Sequence, residues 1–283
     1  MNGADRRLRA FPVSRGLYVH AWPSGRLAGG GIPSGCKRRG GSGTIHTAKL
    51  LTDALPAGQA RVPRWLAETV IRAAEVTGAD PAYMLALADK ESTFDYQAKA
   101  KTSSAVGLFQ FLEGTWLRAL KTYGARHGFG TAADAITIIG GRPVVSDPEN
   151  KPWIMSLRED PYLSALMAGE MINRSRELLS KQSERRLTNG DLYLAHFLGD
   201  GGASRLLKLV EQRPEEKAPR AFPAAAKANR TIFFSGASKT RKDATVLEVQ
   251  TRINTMIEKC VGRYAALVDR DLAPTEVSSL DTH

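Results

Sequence analysis

The chain has 283 residues, of which 42% are hydrophobic and 24% charged, as is typical of a soluble globular protein with a real core. Its two cysteines, Cys36 and Cys260, have no Cys or His partners at ligand spacing, so the sequence predicts neither a disulfide framework nor a metal site. The net charge is +11, but residues 1–50 carry nine Lys and Arg against one acidic residue. The nearly neutral remainder argues against a DNA-binding domain.

Residues 1–60 are predicted to be a disordered, Gly/Arg-rich N-terminal segment. The first fifty residues contain ten of the 26 glycines and few apolar side chains, too few to offset the entropy of ordering the chain. The best candidate for the apolar part of a signal peptide, residues 16–27, is interrupted by His20, Pro23 and Arg26. We therefore recognise no signal peptide, and no apolar run approaches the roughly 18–20 residues of a transmembrane helix.

The following residues are predicted to form one mainly α domain over 61–265, with a polar C-terminal tail over 266–283. Pro63 and Gly78 enclose apolar residues at three- and four-residue spacing, which predicts a helix. Asp80 and Asp160 each precede a proline, a pairing typical of a helix N-cap and first turn. Further helices are predicted over residues 113–123, 190–198, 203–211, 222–229 and 245–260, and short strands over 135–139, 143–145 and 231–234.

Glu91 ends the helix that begins at Asp80, at a position where the pattern calls for an apolar residue. Met84, Leu87 and Glu91 share one helix face because three and four residues separate them. Partial burial and the negative end of the helix dipole both disfavour an ionised carboxylate, so we expect the pKa of Glu91 to be raised. A carboxyl of this kind suits general acid catalysis. The alternative is a glutamate that is solvated or paired with an arginine, which is common in a last helical turn.

Two motifs follow in a fixed order. Residues 91–92 read ES, and residues 107–110 read GLFQ, after which a helix begins near residue 113. This segment resembles the catalytic core of soluble lytic transglycosylases and goose-type lysozymes, closely over residues 62–125 and more loosely to about residue 200. The resemblance implies a lysozyme-like helical domain in which Glu91 is the catalytic acid. It also implies that three further residues bind substrate: Ser92, Gly107 and Gln110.

The residue types in the second motif suit a carbohydrate site on physical grounds as well. Gly107 permits a close approach between backbone and sugar, and the amide of Gln110 supplies a donor and an acceptor for an N-acetyl group or a hydroxyl. The alternative for Gln110 is a polar residue that caps a turn. For Phe109 and Phe111 we favour core positions over a functional role.

A third motif of the family, Ala-Tyr-Asn-x-Gly, has an altered counterpart at residues 195–199, which read AHFLG. His196 stands in the place of the tyrosine, and Phe197 stands in the place of the asparagine. Tyr193 precedes His196 by about one helical turn, so its hydroxyl is expected to point into the same substrate-binding cleft. Tyr193 and His196 are therefore candidate substrate-binding residues, and a core histidine is the alternative for His196.

The resemblance implies cleavage of the β-1,4 bond between N-acetylmuramic acid and N-acetylglucosamine with a single glutamate. Glu91 first protonates the glycosidic oxygen and then takes the proton of the C6 hydroxyl as a 1,6-anhydro ring closes, with no metal or cofactor. Most glycosidases use two carboxylates, for which Asp95 and Glu170 are the candidates here. We expect Asp95 to form a turn and Glu170 to be a buried ion-pair or hydrogen-bond partner.

Three other functions stay open from the sequence: hydrolysis of the same bond by a muramidase, binding of peptidoglycan by a non-catalytic scaffold, and nucleic-acid binding through the basic segment. The implied partners are peptidoglycan glycan strands, together with secretion or envelope machinery. We expect no nucleic-acid partner and no stable membrane insertion. The implied location is the cell envelope or periplasm, although we recognise no export signal.

Overall fold

The computed structural model describes residues 54–57, 60–183, 185–236 and 240–271. Most of the segment predicted to be disordered, and most of the predicted C-terminal tail, lie outside these residues. In the part of the chain that is described, the fold is mainly α, as predicted. None of the described helices is long and apolar enough to cross a membrane.

The helices and strands are numbered here in chain order. The helices are α1 Arg64–Thr77, α2 Pro81–Ser92, α3 Glu113–Tyr123, α4 Gly130–Asp134, α5 Lys151–Ser156, α6 Pro161–Ser180, α7 Asn189–Leu198, α8 Asp200–Gln212, α9 Ala218–Ala221, α10 Pro223–Ala228, α11 Arg230–Phe233 and α12 Val246–Asp271. The strands form three antiparallel pairs: β1 Ala54–Ala57 with β2 Ala60–Pro63, β3 Ile136–Ile139 with β4 Arg142–Val145, and β5 Phe234–Ser235 with β6 Lys242–Asp243. Short 3-10 turns span Gly124–His127, Pro148–Asn150 and Leu157–Glu159.

Helix α2 is the central element of the core. Asp80 accepts a hydrogen bond from the backbone N–H of Tyr83 at 2.8 Å, and Pro81 occupies the first helical position, so α2 begins where the sequence predicted. Every residue from 82 to 88 is buried. This is possible because α2 packs against three other helices, α1, α6 and α12. Its C-terminal end is therefore held in a fixed position by the core.

Asp191 joins the beginning of α7 to α12. Its side chain is fully buried and accepts hydrogen bonds from the guanidinium of Arg185 at 2.8 and 3.0 Å. It also accepts from the backbone N–H and hydroxyl of Thr188, both at 2.9 Å, and from Nε2 of Gln250 in α12 at 3.0 Å. Since α12 also packs against α2, this network fixes α7 relative to the central helix.

The structure corrects three boundaries of secondary structure. Helix α11 covers residues 230–233, so the strand predicted over 231–234 is wrong except at its last residue. Arg252 of α12 donates to the carbonyl oxygens of Ile232 and Phe234, a tertiary contact that the local pattern cannot reveal. The helix predicted over 222–229 is divided at Phe222, and α12 continues well beyond residue 260 to Asp271.

Both predicted ends of the domain fall inside elements of secondary structure. Residues 54–57 form β1, within the segment predicted to be disordered, and Ala54 of β1 lies opposite Pro63 of β2. The boundary predicted at residue 60 thus falls in a hairpin. The boundary predicted at residue 265 falls in α12, whose apolar stripe continues through the buried Tyr264 and Leu267.

We predict that Asp191→Asn destabilises the fold at neutral pH. Burial alone would raise the pKa of Asp191, but hydrogen bonds from Arg185, Thr188 and Gln250 outweigh burial and hold the pKa below its usual value. The carboxylate therefore stabilises the fold above its unfolded-state pKa of about 3.9, and this contribution is lost as the pH falls through the lowered pKa. We expect the variant to lose about 2–3 kcal/mol of unfolding free energy at pH 7 in urea denaturation.

The difference between Asp191→Asn and wild type should shrink as the pH falls below about 4. Asp147→Asn is the matched control, because Asp147 is exposed and caps only a short 3-10 turn. The control should stay within about 0.5 kcal/mol of wild type. Equal losses for the two variants would show that the buried network does not hold α7 in place.

Candidate active site

Glu91 lies one residue before the C-terminal end of α2, and its side chain is only 8% exposed. Its Oε1 atom lies 3.1 Å from Nε2 of His196, which extends from the last turn of α7. The structure thus brings together the candidate acid of the first motif and the altered residue of the third, 105 positions apart in the chain. The His196 side chain is 22% exposed, so the contact is partly shielded from water.

Glu91 changes the acid–base behaviour of His196. Burial acts to lower the pKa of the imidazole, because a charged ring is poorly solvated there. The negative charge of Glu91 and the hydrogen bond between the two side chains act in the opposite direction and prevail, so the pKa of His196 is raised above 6.5. The geometry therefore favours an imidazolium paired with a carboxylate.

Two tyrosines lie in the electrostatic surroundings of Glu91. Burial is the main cause that raises the pKa of Tyr83 and of Tyr193, and the charge of Glu91 adds to it in each case. Tyr83 sits on α2 two turns before Glu91, and its hydroxyl has no hydrogen-bond partner among the described residues. The Tyr193 ring lies 5.7 Å from the ring of His196 and stacks on Phe197 at 6.3 Å. Substrate binding by Tyr193 and His196 stays a prediction, and the structure assigns both a place beside Glu91.

The chain turns sharply after α2. Thr93 and Phe94 have φ values of 53° and 64°, in the left-handed region that non-glycine residues seldom adopt. Each such residue costs of the order of 1–3 kcal/mol, which the surrounding contacts must offset. Phe94 is buried and meets the ring of Tyr264 edge-on at 5.8 Å. This contact holds the turn that separates Glu91 from the following loop.

Ser92 ties the end of α2 to the second motif. Its hydroxyl lies 2.9 Å from the carbonyl oxygen of Leu108 and 3.2 Å from that of Ala88, and both are within donating distance. The hydroxyl thus positions the loop relative to Glu91. Substrate binding by Ser92 stays a prediction.

Gln110 holds the loop in its turn. Its backbone has a φ of 48°, and its buried amide nitrogen donates to the carbonyl oxygens of Ala98 at 3.1 Å and Gly107 at 2.9 Å. This geometry is that of the alternative role, a polar residue that caps a turn, and a role in binding sugar stays a prediction. Phe109 and Phe111 are buried in the core, as favoured from the sequence.

Gly107 is required by packing within the protein. Its φ is 86°, and a Cβ atom added there would overlap the carbonyl oxygen of Arg158. The close approach anticipated between backbone and sugar is, in the structure, an approach between this loop and the segment before α6. A role in binding substrate stays a prediction for Gly107 as well.

Arg158 is a residue of the site that the sequence did not reveal. It is buried, and its Nη1 atom donates to the carbonyl oxygens of Ser104 at 2.6 Å and Phe111 at 3.2 Å, while Nε donates to that of Met155 at 3.0 Å. Burial lowers the pKa of Arg158, and the charges of Glu113 and Glu159 oppose that effect. No local pattern marks Arg158, because two of its three partners, Ser104 and Phe111, lie about 50 residues earlier. Tyr83 is a second residue near Glu91 that the sequence analysis did not name. The helical spacing could have revealed it, since residues 83, 87 and 91 share a helix face.

The two other carboxylates considered from the sequence are engaged elsewhere. Asp95 accepts a hydrogen bond from the backbone N–H of Gln97 at 2.9 Å and forms a turn, as expected. Glu170 is buried and bound by His127 at 2.7 Å and Arg126 at 3.3 Å, as expected for an ion-pair partner. Neither observation adds a second carboxylate to the surroundings of Glu91.

The family model for the transglycosylase SLT domain matches residues 68–130. The matched segment runs from α1 to the beginning of α4 and includes Glu91, Ser92, Gly107 and Gln110. The match supports the resemblance to soluble lytic transglycosylases and the lysozyme-like family that the motifs indicated. It also supports lytic transglycosylase activity in general and peptidoglycan as the substrate. His196 and its helix α7 lie outside the matched residues.

We predict that Gly107→Ala destabilises the loop far more than Gly128→Ala. The two glycines have almost the same φ, 86° and 85°, so the backbone strain of a side chain is matched. An added Cβ at Gly128 meets nothing within 4 Å, whereas at Gly107 it overlaps the backbone of Arg158. We expect Gly107→Ala to cost about 1–3 kcal/mol more in urea denaturation. Equal costs would mean that the loop does not pack on Arg158.

Proposed function

We propose that the protein cleaves the β-1,4 bond between N-acetylmuramic acid and N-acetylglucosamine as a lytic transglycosylase that leaves a 1,6-anhydro end. The observation that carries this proposal is the position of Glu91. It is a largely buried carboxylate at the end of a core helix, within the segment that matches the SLT domain, and beside the loop of the second motif. A carboxyl in such surroundings suits proton transfer to a sugar oxygen.

Glu91 acts first as an acid. Its proton passes to the glycosidic oxygen, and the bond between that oxygen and C1 of the muramic residue breaks. The acetamido oxygen of the same sugar stabilises the positive charge that develops at C1. Glu91 is then an ionised carboxylate on the same face of the ring.

Glu91 acts next as a base. The carboxylate takes the proton of the C6 hydroxyl while O6 bonds to C1 and closes the 1,6-anhydro ring. The proton given in the first step is thus recovered in the second, and no water is consumed. One carboxylate suffices for the whole cycle.

The position of Glu170 supports a mechanism with one carboxylate. A cavity of about 580 Å³ is lined by Glu170 together with Val76 and Thr77, which precede the beginning of α2. Glu91 lies at the other end of α2, and a helix of 12 residues is about 18 Å long. Paired catalytic carboxylates in glycosidases are about 5–10 Å apart. Glu170 is therefore badly placed to act with Glu91.

The proposed substrate also bears on location and partners. Peptidoglycan lies in the cell envelope, so we propose that the protein acts there, in the periplasm or at the wall. Secretion or envelope machinery is the further partner that we propose, since the substrate lies outside the cytoplasmic membrane. The proposed chemistry uses protein side chains and groups of the substrate itself.

We predict that Glu91→Gln abolishes cleavage of purified peptidoglycan sacculi. Wild type should release anhydro-muropeptides, identified by mass spectrometry, and the variant should be slower by about 10²–10⁴-fold because an amide cannot donate the required proton. Asp95→Asn is the matched control, since asparagine preserves the turn and removes the nearby carboxylate. It should retain activity within a few-fold of wild type.

The products distinguish the alternative functions. Reducing ends that depend on Glu91 would identify a hydrolytic muramidase, and a strong loss in Asp95→Asn would then make Asp95 the second carboxylate. Binding to sacculi without products, in wild type and variant alike, would identify a scaffold. Either result would overturn the proposed transglycosylase reaction.

A further inference from the structure

We propose that His196 is a positioning residue that shares one proton with Glu91, and that the pair must hold this proton for the acid step to occur. The inference rests on the proposed function, because it concerns the same carboxyl. It differs from the substrate-binding role expected for His196 from the sequence. It makes the altered third motif part of the acid–base apparatus.

The geometry leaves Glu91 and His196 little freedom to separate. Glu91 stands at the end of α2, which the core surrounds, and Nε2 of His196 lies 3.1 Å from its Oε1. The imidazole ring lies against the ring of Tyr193 at 5.7 Å, and Tyr193 in turn stacks on Phe197. Phe197 stacks on Phe233 at 6.3 Å, so a column of rings supports the imidazole from α7 to α11.

The first turn of α7 also limits the movement of His196, because it is anchored at the opposite end of the helix from the imidazole. The Asp191 network fixes the beginning of the helix against α12. His196 lies five residues later, so a rigid α7 carries the imidazole to the end of α2 as a consequence of that anchor. The contact is therefore a product of two separate constraints, the ring column and the buried aspartate.

The proton is conserved through the proposed cycle. In the resting enzyme it sits on Nε2 of His196, opposite ionised Glu91. When sugar displaces water, the low dielectric disfavours separated charges, and the N–H bond breaks as an O–H bond forms at Glu91. Glu91 passes this proton to the glycosidic oxygen and recovers one from the C6 hydroxyl. The proton then returns to His196, and the pair ends as it began.

The raised pKa of His196 agrees with this arrangement, because the charge of Glu91 and its hydrogen bond favour the protonated imidazole over the neutral ring. Above that pKa the imidazole is neutral, Glu91 is ionised, and no proton is available for the glycosidic oxygen. The shared proton thus predicts that activity declines as the pH rises through the pKa of His196 and the imidazole loses its proton.

Other titratable or charged groups interact electrostatically with Glu91, or with the two tyrosines and the lysine that do so. They are Tyr83 and Lys90 on α2, Arg176 on α6, Tyr193 on α7 and Cys260 on α12. Burial raises the pKa of both tyrosines, so their hydroxyls stay neutral near pH 7. Burial lowers the pKa of Lys90, and the negative charges of Glu91 and Asp89 act in the opposite direction. His196 is in direct contact with Glu91, with 3.1 Å between Nε2 and Oε1.

The first test measures the pair without any substrate. The His196 imidazole is titrated by NMR in the full chain, in wild type and in Glu91→Gln. We expect the wild-type pKa to lie above the ordinary value of about 6.5 and that of the variant to fall below it, because burial then acts without the carboxylate. The same pKa in both proteins would overturn the proposed pair. This result does not depend on whether the protein cleaves peptidoglycan.

The second test measures activity against pH with His196→Gln, whose amide nitrogen replaces Nε2 as a donor and does not titrate. On the alkaline side of the pH–activity profile, the activity of wild type should fall with a midpoint equal to the pKa of His196 from NMR. This part of the profile is called the alkaline limb. The limb of the variant should move to lower pH, with kcat at pH 7.5 falling at least tenfold and KM changing little. Asp95→Asn should leave the limb unmoved.

The outcomes separate this inference from the proposed function. A limb that stays in place in His196→Gln would overturn the shared proton even if anhydro products are formed. If the products have reducing ends and the alkaline limb moves in His196→Gln, the transglycosylase reaction is overturned and the proton shared by Glu91 and His196 is supported. A change in KM alone would return His196 to a substrate-binding role and overturn its positioning role.

Discussion

The burial of one carboxylate at the end of an apolar helix is the constraint on which the rest of the site depends. A charged group removed from water must find a partner or lose its charge, and Glu91 finds its partner in His196. That partner comes from a helix more than a hundred residues later in the chain. The fold therefore has to hold α2 and α7 in register to within a hydrogen-bond length. The packing of α12 against both helices meets this requirement.

The same end of α2 is where the backbone is strained. The three non-glycine residues with positive φ in the described part of the chain are Thr93 and Phe94, directly after α2, and Gln110, in the loop of the second motif. Such conformations persist only where the surroundings over-determine them. Here the hydroxyl of Ser92 and the guanidinium of Arg158 bind the loop from two directions. These buried polar contacts join the loop to the end of α2 and to the segment before α6.

The histidine at position 196 places a titratable group in contact with Glu91. A tyrosine hydroxyl remains neutral near pH 7, whereas the histidine at position 196 exchanges a proton in that range. The aromatic residue at 197, in the place of the family's asparagine, belongs to the ring column that supports the imidazole. The two departures from the family pattern are therefore coupled in space.

The helices that carry the first two motifs were predictable, because strong local signals mark them. Asp80 with Pro81 defines the beginning of α2, Gly78 ends α1, and the apolar residues from 82 to 88 identify a buried helix. The candidate acid was predictable too, since a glutamate interrupts an apolar face. The short strand β1, the division at Phe222 and the length of α12 were not, because each depends on contacts with distant residues.

The sequence by itself determined the mainly α class, the position of Glu91 at a helix end, and the motifs that relate the chain to the transglycosylase SLT domain. Only the tertiary structure decided what surrounds Glu91: the contact with His196, the turn-capping amide of Gln110, and the clamp of Arg158. The physical reason is that helix capping and periodicity act over a few residues. The charge and hydrogen bonding of a buried group are set instead by side chains that only folding brings near.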